Sequence, residues 1–93
     1  MTFDETDNQS TDSAAACCGE GPEPNTATPG MYGMGGGRVG AVVVSPYVSP
    51  GSWNNTAYNH YGLLRTIEDT FGLAPLGYAG TVRGFGFDVW GAR

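Results

Sequence analysis

Val39-Gly40-Ala41-Val42-Val43-Val44-Ser45-Pro46 is a short, continuously apolar and β-branched run, the pattern of a strand buried on both faces. Such a strand needs a paired strand on each side for its backbone groups, with apolar cover above and below. No second run of that quality occurs in the 93 residues. The pattern therefore implies either assembly with copies of the same chain or, the preferred reading, a piece of a larger α/β protein.

Downstream of the run, Pro46 and Pro50-Gly51 enforce an irregular stretch through Trp53-Asn54-Asn55-Thr56. This is read as a loop leaving the carboxyl end of the strand, the edge at which open α/β sheets bind ligands. Asn54-Asn55-Thr56 also fits a glycosylation acceptor, which is taken as chance. Next comes Asn59-His60-Tyr61-Gly62-Leu63-Leu64-Arg65-Thr66-Ile67-Glu68-Asp69, the one convincing amphipathic helix. Leu63, Leu64, Ile67 and Phe71 share a face at helical spacing, Arg65, Glu68 and Asp69 turn mostly away, and Gly72 is placed to end the helix. The apolar stripe is expected to pack on the strand. The aromatic, glycine-rich tail, Ala74-Pro75-Leu76-Gly77-Tyr78 and Phe85-Gly86-Phe87-Asp88-Val89-Trp90, is expected to cover the sheet edge instead of forming an element of its own.

Upstream, the composition changes. Residues 1–38 are acidic, small and turn-forming, and read as a Gly/Pro-rich loop region after a strand end; residues 39–93 read as strand, loop, helix and tail. Thr2-Phe3-Asp4-Glu5 looks like the end of a strand running into loop, and from Ser10 to Gly37 the prolines and glycines allow at most a helical turn at Ala14–Ala16. Gly35-Gly36-Gly37-Arg38-Val39-Gly40 has the glycines of a dinucleotide-binding turn but lies before a strand instead of after one, so it reads as a flexible lead-in. Cys17 and Cys18 are adjacent, a spacing that suits neither a Cys-x-x-Cys pair nor a zinc site. They read as two thiols in a loop, or as partners for a cysteine outside the chain.

Nine acidic residues against four arginines and no lysine give a net charge of −5, which argues against gripping nucleic acid or an anionic membrane. No window is long and apolar enough for a membrane span, and Met1 is followed by polar and acidic residues instead of a leader peptide. In a fragment, that leaves the compartment of the parent open, export included.

Two groups have the right chemistry for a site. His60 stands at the helix start after the strand and loop, where an imidazole can ligate metal or exchange protons near neutral pH; taken alone, a single histidine reads first as structural or merely exposed. Asp4 and Glu5 are adjacent carboxylates at a strand end, suited to a divalent cation, although alone they read as an acidic loop start. Their order along the chain, carboxylates after one strand and histidine after a later one, joins them in one reading.

Thr2-Phe3-Asp4-Glu5, Ala16-Cys17-Cys18-Gly19-Glu20, Gly36-Gly37-Arg38-Val39-Gly40-Ala41-Val42-Val43-Val44-Ser45-Pro46-Tyr47-Val48, Pro50-Gly51, Tyr58-Asn59-His60-Tyr61 and Leu63-Leu64-Arg65-Thr66-Ile67-Glu68-Asp69, taken in order, resemble the C-terminal part of the bacterial phosphoesterase family. Phe71-Gly72-Leu73, Leu76-Gly77-Tyr78-Ala79 and Phe85-Gly86-Phe87-Asp88-Val89-Trp90 continue the resemblance. That family contains phospholipases C and acid phosphatases and belongs to the alkaline phosphatase superfamily. The resemblance implies a metal-dependent phosphoric ester hydrolase with an α/β/α sandwich, of which this chain holds one buried-type strand, one amphipathic helix and much loop. It implies metal-ligand roles for Asp4 and Glu5, the latter standing where relatives carry a second aspartate, and an active-site role for His60. It further implies a divalent metal ion, a phosphoester substrate for the complete enzyme and an N-terminal portion encoded upstream, because the family's nucleophile region has no counterpart here.

On this reading the chain alone is catalytically silent. The rival is a small noncatalytic interaction module that docks on a partner or self-associates. An autonomous metal-binding protein is the weakest reading, since two carboxylates and one histidine underfill a coordination shell.

Overall fold

The computed structural model describes residues 1–7, 11–22, 27, 28, 30 and 33–91. The chain divides into two compact units, Met1–Val42 and Val43–Arg93. Among the described residues no helix is long and apolar enough to cross a membrane.

The second unit is built on helix α1, His60–Phe71. Asn59 precedes it with extended backbone, and its Oδ1 accepts from the Gly62 amide at 2.9 Å. A side-chain cap of this kind stabilises a helix by about 1 kcal/mol. At the other end Gly72 adopts a left-handed φ of 65°. The Gly72 amide donates to Asp69 O and the Leu73 amide to Glu68 O, which is a Schellman closure that satisfies the last carbonyls. The ion pair Arg65 Nε to Asp69 Oδ1, 2.8 Å, runs one turn along the exposed side and adds only a few tenths of a kcal/mol.

What α1 buries is polar and small: Gly62, Thr66 and Glu68. The backbone of Arg83–Phe85 lies directly against this face. A Cβ on Gly62 would stand 2.9 Å from Arg83 O, and one on Gly84 would stand 3.0 Å from Thr66 Oγ1. The hydroxyl of Thr66 donates to Gly62 O at 2.7 Å and accepts from the Phe85 amide at 2.7 Å. One turn on, Glu68 is 2 % exposed and its Oε1 accepts from the Leu76 amide at 2.8 Å, while its Oε2 is buried without a hydrogen bond. Two side chains of the helix thus fix the two segments that return across it.

After α1 the chain forms a 3-10 helix, Gly77–Thr81, packed on α1, with Ala79 wholly buried. Tyr61 and Tyr78 meet at 4.8 Å between ring centroids. A short helix α2, Phe87–Trp90, follows. Phe85 lies between Tyr58 and Trp90, at 4.8 and 6.4 Å, and the Trp90 indole donates to Phe85 O at 3.1 Å.

A polar latch ties α2 to the segment before α1. The Tyr58 hydroxyl donates to Asp88 Oδ1 at 2.7 Å and accepts from the Gly86 amide at 3.0 Å, and the Asn54 amide donates to Asp88 O at 3.3 Å. The Arg83 guanidinium lies 5.0 Å from the Tyr58 ring centroid. Hydrogen bonds from the Thr56 and then the Tyr58 hydroxyl hold the Asp88 carboxyl below its ordinary value of 3.8. Desolvation first, and then donation to Asp88, push Tyr58 above its ordinary value of 10.0.

In the first unit Thr2 and Ala41 form an isolated antiparallel bridge. Reciprocal bonds flank it, from the Met1 amino group to Val42 O at 2.7 Å and from the Val42 amide to Met1 O at 2.8 Å. The Ala15 amide donates to Asp12 O and the Gly37 amide to Ala15 O, and the Arg38 amide donates to Asp12 Oδ2. Cys17 and Cys18 are joined to each other, correcting the expectation of two thiols in a loop or of pairing outside the chain. Their Cα atoms are 3.7 Å apart, and Cys18 takes a left-handed φ of 66° with Gly19 following at 81°.

The structure overturns the expected α/β/α sandwich with its buried strand. Among the described residues there is no sheet; the valine run contributes one bridged residue, Ala41. Val42 and Val44 are 53 % and 93 % exposed. The physical reason is the one that made the run conspicuous: a strand is stable only with partners along its length, and Thr2 supplies a single antiparallel residue. With no sheet to cover, the helix stripe is not buried either. Ile67 and Phe71 are 45 % and 73 % exposed, and Glu68, expected to face away, is inside. The tail, expected at a sheet edge, forms the 3-10 helix and α2 and returns over α1.

Two outcomes follow from this packing. Thr66→Val strands the Phe85 amide and lowers the stability of the unit by about 1–3 kcal/mol, whereas Thr66→Ser retains most of it; urea denaturation followed by tryptophan fluorescence measures both. The Asp88 contribution to the latch is present above pH 3.8 and is lost as pH falls through its lowered value, and the Tyr58 contribution is present below pH 10.0 and lost as pH rises through its raised value. The amide resonance of Gly86 therefore shows an acid and an alkaline transition, and the alkaline one vanishes in Tyr58→Phe.

Candidate functional site

The acidic pair and the histidine occupy different units. Asp4 and Glu5 lie just beyond the bridged residue Thr2 in the first unit, Asp4 exposed and Glu5 half-buried. Their position is set by the next residue. Thr6 donates to Gly36 O twice, from its amide at 2.8 Å and from its hydroxyl at 3.0 Å. Gly36 lies so close that a Cβ on it would stand 2.8 Å from the Glu5 Cβ. Gly35 is buried against Ala15 and Ala16, and Gly37 has a φ of 76° beside Thr6 and Asp12. The glycine run read as a flexible lead-in is therefore the packed backing of the acidic segment. Close approach, not nucleotide binding, is what requires glycine there.

His60 is the first residue of α1 and is exposed. The Asn59 side chain, by capping the helix through Oδ1, fixes the backbone from which the imidazole projects. The Asn59 Nδ2 is buried without a hydrogen-bond partner. The orientation of that amide follows from the cap, since only oxygen can accept from Gly62.

A divalent cation of the kind the resemblance implies takes several oxygen or nitrogen ligands at once. Among the described residues no group of three or more His, Cys, Asp and Glu side chains is arranged to hold a metal ion. Asp4 and Glu5 belong to one unit and His60 to the other. The residues that sequence reasoning missed are those that position the acidic pair, Thr6 and Gly36. Their signal was the Gly35-Gly36-Gly37 run, which marks close backbone approach as readily as flexibility.

No curated protein and no solved structure matches this chain. A family model described as the Phosphoesterase family matches residues 1–74. The matched span includes Asp4, Glu5, the cysteine pair, the valine run, His60 and the whole of α1, while Leu76–Ala79 and Phe85–Trp90, to which the resemblance also extended, lie beyond it. With most of its length matched, the chain belongs to the Phosphoesterase family.

Proposed function

We propose that this chain supplies the later part of a metal-dependent phosphoric ester hydrolase and does not turn over substrate by itself. The observation that carries the reading is the family match over residues 1–74, taken with the donor chemistry it contains. Asp4 and Glu5 are the carboxylates assigned to a divalent metal ion, and His60 is the group assigned to the metal or to the phosphoryl oxygens. Phosphoryl transfer asks little covalent chemistry of the protein beyond a nucleophile; it needs positioned positive charge on the phosphoryl oxygens and aligned attacking and leaving groups. Two carboxylates and one imidazole are part of such an apparatus. Catalysis on this reading requires further ligands and a nucleophile from an N-terminal phosphoesterase portion, and the substrate is a phosphoester of the phospholipase C or acid phosphatase type.

A second reading, a noncatalytic module that docks on a partner or on a second copy, is favoured by the exposed apolar side chains Trp53, Phe71, Leu76 and Phe87 of the second unit. Sedimentation separates the two: a stable, cooperatively melting homodimer supports the module.

The chain incubated with a chromogenic phosphodiester and added Mg²⁺, Ca²⁺, Mn²⁺ or Zn²⁺ is expected to give no hydrolysis above the rate of its His60→Ala variant. Robust turnover that disappears in His60→Ala would overturn the claim that it is silent alone.

A further inference from the structure

We propose that the Cys17–Cys18 disulfide is a thiol–disulfide exchange site whose redox state controls the packing of the loop that backs Asp4 and Glu5. The two sulfurs are not equivalent. Cys18 is exposed and Cys17 half-buried, so an incoming thiolate reaches the Cys18 sulfur first. Attack there forms a mixed disulfide and breaks the Cys17–Cys18 bond; its electron pair leaves with the Cys17 sulfur, which takes up a proton. A second thiolate, the other arm of a small dithiol, attacks the reductant's own sulfur in the mixed disulfide and releases the Cys18 thiolate, which is protonated in turn. The net step takes two electrons and two protons from the dithiol, which departs as a cyclic disulfide.

The consequence for the fold comes from the backbone. Cys18, bonded to the preceding residue, has a φ of 66° in a turn closed by the Glu20 amide on Cys17 O at 3.3 Å, a left-handed conformation that a residue with a side chain otherwise avoids. Once the bond opens, Cys18 relaxes to negative φ and the chain leaves Cys17 in a new direction. Immediately before Cys17 lie Ala15 and Ala16, the residues against which Gly35 is buried. The Gly37 amide donates to Ala15 O at 3.0 Å, and Gly36 O receives both bonds from Thr6. Reorientation at Cys17–Cys18 thus loosens Gly35–Gly37 and, through Thr6, the segment carrying Asp4 and Glu5. This exchange chemistry requires no metal role for either carboxylate.

The test uses the whole chain. Alkylation with N-ethylmaleimide followed by mass spectrometry is expected to add nothing to the untreated protein and two groups after dithiothreitol. Amide exchange at Thr6 and Gly37 is expected to accelerate by about tenfold or more on reduction and to return on reoxidation. A Cys17→Ser, Cys18→Ser variant is expected to exchange fast under both conditions. Alkylation without reductant would overturn the proposal, as would exchange rates at Thr6 and Gly37 that agree within about twofold between the two redox states.

Discussion

The Thr66 hydroxyl, bonded at once to Gly62 O within its own helix and to the Phe85 amide across from it, is the contact on which the second unit depends. A helix normally earns its place in a fold by burying an apolar stripe. Here the stripe is half-buried at Leu63 and Leu64 and exposed at Ile67 and Phe71, and the helix is also held by backbone brought against its small, polar side. That arrangement needs a residue without a side chain on each of the two facing surfaces, and Gly62 and Gly84 are those residues. It also needs an acceptor for the amide that comes closest, because a buried N–H without one costs about as much as a lost hydrogen bond. Thr66 provides it.

The same logic explains why the aromatic residues matter. With Ala79 as the one buried hydrophobic residue among those described, the unit has no conventional core. Tilted ring contacts of Tyr58 with Phe85 and of Tyr61 with Tyr78 supply apolar contact at the edges of the polar seam. The latch at Asp88 and the Trp90 indole then fasten the tail by directional bonds. Specificity in such a unit resides in donors and acceptors more than in volume.

The helix was legible in the sequence because its signals are local: apolar spacing, Gly72 past the end, and a start beside His60. The family was legible too, since it lies in an ordered series of short segments. The sheet was misread because a run such as Val39–Pro46 specifies a preference and not a partner; strand pairing is non-local, and a single bridge from Thr2 to Ala41 is all that the described residues provide. The burial of Glu68 was missed because its partner, the Leu76 amide, carries no signature in the sequence. The glycines Gly36, Gly62 and Gly84 had the opposite ambiguity, since the same residue type serves mobility and tight contact, and only the neighbours decide which. Asp4, Glu5 and His60 stand out in the sequence by their chemistry and by the family likeness; periodicity carries no sign of the role of Thr6 and Gly36 in positioning the acidic pair.

The reciprocal bonds between Met1 and Val42 also bear on the order in which the chain assembles. They close a segment of 41 residues, whereas the Thr66–Phe85 bond closes 19. The logarithmic growth of loop-closure entropy makes the longer ring costlier by about 0.7 kcal/mol before any difference in contacts. A nascent helix at α1 further shortens the search for the nearer pair, while the described residues of Met1–Val42 hold no helix to nucleate on. Closure entropy and local helix formation thus both favour the Thr66–Phe85 pair over the ends of Met1–Val42.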